Sequence, residues 1–171
     1  NYSGYYLAGK KVGLINGSAY LSRSGYSFLG WSSEKTVPAV NKSTYDANKS
    51  KCLSQATIQA KTENRVYAVW AKNPTVTFKN GHGDNDTLKT QVVKPGKNAT
   101  APNTPTRTGY VFTGYDNAYT SVYADTTTTA QWRPAKYTIY YNKNNSTATG
   151  NTPDQSMSYD TAANLNSNGY A

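Results

Sequence analysis

The sequence predicts a β-rich α+β protein built of small modules in tandem, mostly strand with at most a short helix in each. Three observations predict it. Tyr dominates the aromatic set, with 16 Tyr against 3 Phe and 3 Trp, while only 36% of residues are hydrophobic. Long aliphatics are too sparse for one large core, so several small cores centred on aromatic rings fit better. An aromatic and glycine-rich motif occurs twice, and Asn, Ser, Thr and Gly fill the intervening stretches, as turn-rich β chains require.

The repeat is the strongest of these signals. Arg23-Ser24-Gly25-Tyr26-Ser27-Phe28-Leu29-Gly30-Trp31 aligns with Arg107-Thr108-Gly109-Tyr110-Val111-Phe112-Thr113-Gly114-Tyr115. Downstream, Val66-Tyr67-Ala68-Val69-Trp70 aligns with Thr128-Thr129-Ala130-Gln131-Trp132. A new strand follows each closing Trp: Thr75-Val76-Thr77-Phe78, then Thr138-Ile139-Tyr140-Tyr141. Upstream, Ala8-Gly9-Lys10-Lys11 parallels Pro95-Gly96-Lys97-Asn98. The landmarks divide the chain into a first module over 1–72 that lacks its opening strand, a complete second module over 73–135, and the opening half of a third over 136–171.

Side chains alternate along a strand, so Tyr26 and Phe28 share one face, as do Tyr110 and Phe112. Gly30 and Gly114 sit mid-strand, where glycine marks a bulge or a close backbone approach. The expected cores are therefore Tyr26, Phe28, Trp31 and Trp70 in the first module. Tyr110, Phe112, Tyr115 and Trp132 take their places in the second. A carbohydrate-stacking platform is the functional alternative for these rings, but a pattern that recurs wherever the fold is rebuilt reads first as core.

The modules differ in one segment. Trp31 and Trp70 are 39 positions apart, Tyr115 and Trp132 only 17. The excess lies at about residues 33–56 and carries Lys35, Lys42, Lys49, Lys51 and Cys52, the chain's one cysteine. Residues 45–60 are expected to include a short helix. Insertions map to surface loops, and loops carry function more often than scaffolds do. The net charge of +9 is concentrated in the first module as a whole, since residues 1–72 hold ten Lys/Arg against three Asp/Glu. Those four lysines are the candidate contacts for a polyanion.

These aromatic strands, their closing Trp and the Tyr137-Thr138-Ile139-Tyr140-Tyr141-Asn142 opening of the third module resemble the Listeria–Bacteroides repeat, the internalin-type B-repeat. The resemblance covers most of the chain outside the insertion. It implies tandem β-grasp-like modules of secreted, surface-attached microbial proteins, acting as stalk, spacer or ligand-contact segments, with no catalytic residues to transfer. The chain departs from the pattern at Tyr115, where Trp is usual, and at Thr128-Thr129, where an apolar pair is usual.

Other chemistry finds little support. A hydrolase needs a positioned acid, base or nucleophile. The one histidine, His82, lies in the polar turn Asn80-Gly81-His82-Gly83-Asp84-Asn85-Asp86, and the nine acids are scattered. That turn lacks the spacing and bidentate Glu of a calcium loop. Neither cofactor nor metal is expected. No nucleic-acid motif accompanies the positive charge, and no apolar run is long enough to span a bilayer. The expected role is a non-enzymatic segment outside the cell, attached to its surface or wall. The expected partners are host or cell-wall glycans or neighbouring surface proteins. Two alternatives remain open: an anionic-glycan-binding module working through the basic insertion, and a filament subunit that self-associates by strand addition.

Overall fold

Strand follows strand along most of the chain, as the Tyr, Thr and Val content requires. The computed structural model describes residues 8–60, 63–83 and 86–171. The first group of elements is β1 (Lys11–Gly13), β2 (Tyr26–Ser32), α1 (Lys42–Ser50), β3 (Gln55–Thr57) and β4 (Tyr67–Lys72). The second is β5 (Thr75–Lys79), β6 (Thr87–Val92), β7 (Tyr110–Tyr115) and β8 (Thr126–Pro134). The third is the hairpin of β9 (Lys136–Ile139) and β10 (Gln155–Ser158). Among the described residues these form four separate sheets, with strand orders β1-β3, β2-β4, β6-β5-β8-β7 and β10-β9.

The four-stranded sheet is mixed. β5–β6 and β7–β8 are antiparallel pairs, and β5 and β8 run parallel between them. Its core gathers Val76, Phe78, Val93, Ala99 and Val122, with Ala101, Tyr115 and Tyr119 packed against it. Phe78 is fully buried and meets the rings of Tyr115 and Tyr119 edge-on at 5.3 and 5.2 Å. Thr128, an apolar position by the resemblance, is also fully buried. Its hydroxyl donates to the Asn117 carbonyl at 2.8 Å and accepts from the Asn117 N–H at 3.2 Å. A hydrogen-bonded hydroxyl is tolerated there because its polar capacity is met.

The repeated motif folds the same way twice. Phe28 stands opposite Trp70, and Phe112 opposite Trp132. Each pairing then slips by one residue before Gly30 or Gly114. The two glycines take φ values of +152° and +132°, which side chains rarely adopt, so the bulge read from the sequence selects glycine at both.

The helix begins earlier than the sequence suggests and is shorter. Asn41 caps it, accepting from the Thr44 N–H while the Thr44 hydroxyl answers the Asn41 N–H. This reciprocal pair fixes the start. Beyond the helix, residues 55–57 form β3 and pair with β1, so the distal part of the expected helical stretch is strand.

The insertion is a covering layer rather than a loose loop. Val69 and Ala71 of β4 are buried on the ribbon face opposite Trp70, and Ala39 is buried with them. Ala39 bridges β4 in parallel, donating its N–H to the Trp70 carbonyl at 2.9 Å and accepting from the Lys72 N–H at 2.8 Å. α1 packs on β4 and β2, with the Asn48 amide held by the Val37 carbonyl at 2.7 Å. The matching face of β8 in the second unit is exposed at Gln131 and Arg133.

Candidate functional site

Two features qualify as candidate sites: the basic insertion, and the junctions between successive units. The insertion lysines do not form a free cluster. Lys42, at the start of α1, pairs with Asp46 at 2.6 Å, and this bond raises the ammonium pKa. Lys49 donates to the Leu29 carbonyl at 2.8 Å. Lys51 lies 3.9 Å from the Glu34 carboxylate, and Lys35 sits 5.8 Å above the Tyr67 ring. Each ammonium therefore has a partner within the chain, leaving long-range charge as the insertion's main electrostatic feature.

Cys52 serves packing. Its Sγ would lie 2.8 Å from a Cβ added at Gly30, and burial pushes the thiol pKa up. A thiol held protonated is a poor nucleophile.

The eight motif aromatics are all only partly buried. Phe28 takes Trp31 and Trp70 edge-on at 5.4 and 5.5 Å, and Phe112 takes Tyr115 and Trp132 at 5.2 and 5.7 Å. Such pairs contribute about 0.5–1.5 kcal/mol each beyond their buried area. Arg23 stacks 3.8 Å from the Tyr26 ring centre, and Arg107 stacks 3.7 Å from that of Tyr110. The faces that a carbohydrate platform, the alternative reading of these rings, would use are thus met by one another and, at Tyr26 and Tyr110, by arginine. His82 packs against Trp132 at 5.4 Å, while Asp84 and Asn85 of the same turn lie outside the described residues. Among the described residues no group of three His, Cys, Asp or Glu side chains is placed to hold a metal ion. Nor is any helix there long and apolar enough to cross a membrane.

The junctions are short, as the linkers at 71–74 and 133–136 suggest in the sequence, but their side-chain bonds are facts of folding. Only Asn73 and Pro74 separate β4 from β5, and only Ala135 separates β8 from β9. At the first junction Asp125 accepts from Lys72 Nζ at 2.5 Å and from the Thr75 N–H at 2.9 Å. The lysine bond, with the backbone bond behind it, holds the Asp125 pKa below its usual value. Beside it Tyr45 of α1 meets Tyr123 edge-on at 5.0 Å, and Lys42 lies 5.3 Å from the same ring. At the second junction the Tyr110 hydroxyl donates to Asp160 at 3.1 Å, and its ring meets Tyr159 at 5.5 Å. Tyr159 lies flat over Gly109, where an added Cβ would stand 2.3 Å from the ring.

Fold and junctions together define a tandem repeat protein whose units are joined strand to strand. The family model for the Listeria–Bacteroides repeat domain matches residues 6–61 and again residues 75–132. The chain belongs to that family. No curated protein and no solved structure matched it.

Proposed function

We propose that this chain is a non-enzymatic spacer or stalk segment of a microbial cell-surface protein, made of β-grasp-like units over 1–72, 73–135 and the opening half over 136–171. The observation that carries this reading is the pair of short, bonded junctions. A spacer works by holding its units at a set distance, and a two-residue link backed by an ion pair and packed rings limits bending. Family membership supports the surface role. The β-grasp-like reading rests on the order β6-β5-β8-β7, two antiparallel pairs around a parallel centre, although the crossing from β6 to β7 is irregular.

Adhesion to host or wall glycans, or to neighbouring surface proteins, is the form that partner binding takes on this reading. The excess of positive charge in residues 1–72 favours anionic glycans as the second reading. Binding of that kind weakens steeply as salt rises.

The surface assignment is tested by antibody labelling and brief protease treatment of intact producing cells. Labelling of intact cells, lost after protease, is the expected result. Labelling that appears only after lysis overturns it.

A further inference from the structure

We propose that Tyr45 and Tyr123 are an oxidative modification site, a preset dityrosine staple that closes covalently across the first junction. Its co-reactant is hydrogen peroxide acting through a haem peroxidase, which takes hydrogen atoms from accessible phenols. The staple deepens the spacer reading, because it would fix a joint. Its chemistry is tested on the purified chain, so its failure leaves the surface assignment standing.

Several phenols of this tyrosine-rich chain have work inside the fold. The Tyr110 hydroxyl donates to Asp160 at 3.1 Å, that of Tyr141 to Gln155 at 2.7 Å, and that of Tyr170 to the Tyr141 carbonyl at 2.9 Å. Tyr115 turns inward and its hydroxyl is buried. Tyr45 and Tyr123 differ. Both are half-buried, so part of each ring meets solvent, and neither hydroxyl bonds to a described residue. Phenylalanine rings would meet edge-on as well, so packing alone does not select the phenols.

Their placement makes coupling local. With ring centres 5.0 Å apart they are the closest tyrosine pair among the described residues, ahead of Tyr110 with Tyr159 at 5.5 Å and Tyr115 with Tyr119 at 5.9 Å. Both backbones are anchored. The Tyr45 N–H donates to the Asn41 carbonyl at 2.9 Å in the first turn of α1. Val122, next to Tyr123, bridges Lys97, and its carbonyl accepts from the Gly96 N–H at 2.7 Å. Two radicals held in contact couple in a unimolecular step, which favours this pair over encounters between chains. Each phenol gives up one electron and one proton, and the peroxide is reduced by both pairs to two waters. The phenoxyl radicals join ortho carbon to ortho carbon, and the two ortho hydrogens return to the phenolic oxygens as the rings regain aromaticity. Cys52, the competing thiol, is half-buried and held protonated, which slows its own reaction with peroxide.

The test treats the dilute whole chain with a haem peroxidase and limiting hydrogen peroxide, then digests it with trypsin for mass spectrometry. Trypsin releases Tyr45 within residues 43–49 and Tyr123 within residues 108–136. The expected product is a monomer lighter by two hydrogen atoms, with dityrosine fluorescence and these two peptides joined through Tyr45 and Tyr123. Tyr45→Phe and Tyr123→Phe keep the packed rings but remove one radical, and each is expected to lower the yield of intramolecular dityrosine at least about tenfold. The same treatment of the chain unfolded in urea is expected to lose the preference for this pair. Absence of the Tyr45–Tyr123 link, a dityrosine yield unchanged in either variant, or an equal yield of the link from the unfolded chain overturns the proposal.

Discussion

Gly30 and Gly114 occupy the same bulge in two copies of one motif, yet their surroundings differ. Both have positive φ, so alanine strains the backbone at each site by about 1–3 kcal/mol. At Gly114 an added Cβ meets nothing within 4 Å, whereas at Gly30 it meets Cys52 Sγ at 2.8 Å and Cβ at 2.9 Å. Gly30→Ala is therefore expected to lower stability by at least about 1 kcal/mol more than Gly114→Ala, the order of an overpacking penalty. Denaturant unfolding of the two variants measures the difference, and the double variant Gly30→Ala, Cys52→Ala is expected to recover part of it. Equal losses would mean that the insertion does not press on the bulge.

At the scale of elements, the first junction is held by a charge that acid removes. The Asp125 pKa is lowered in the folded chain, chiefly by its bond from Lys72. A depressed carboxylate contributes stability at pH values above its unfolded pKa, near 3.9, and loses that contribution as pH falls through its folded value. The contribution is small, since the pair is about half exposed, with side chains 42% and 54% accessible. The Asp125 carboxyl resonance is expected to titrate below the ordinary Asp range in the intact chain and to return toward it in Lys72→Met. An unshifted carboxyl in the intact chain would remove this clip from the account.

The same scale shows what a single sequence reveals. The aromatic and glycine motif was legible, because period-two alternation and a mid-strand glycine are local signals, but the pairing of Phe28 with Trp70 and of Phe112 with Trp132 is a fact of folding. The capped start of α1 at Asn41 was a local signal too, but an Asn-x-x-Thr box is a weaker cue than one closed by Glu. β1 and β3 are three residues each, too short for any periodicity to register. The burial of Val69 and Ala71 under the insertion was hidden because Ala39 and α1 reach β4 through contacts distant in sequence. Tyr45 meeting Tyr123 was hidden for the same reason. The four lysines were legible as charge, but their partners Asp46, Glu34, the Leu29 carbonyl and Tyr67 are facts of folding.

For the whole molecule, a spacer role requires units that keep a fixed relation to one another. Sequence repetition establishes the units, and family membership agrees with it, but a spacer needs stiff joints as well as repeats. The first joint combines an ion pair, a backbone bond and a packed pair of tyrosines, all flanking a two-residue link. The most direct measurement is the distance distribution between a spin label on α1's exposed face and one at the far end of β6, read by pulsed electron resonance with Cys52 replaced by Ser. A single narrow distribution that broadens on Tyr123→Ala combined with Asp125→Ala is the predicted result. A broad distribution in the parent chain, unchanged by those substitutions, would contradict it.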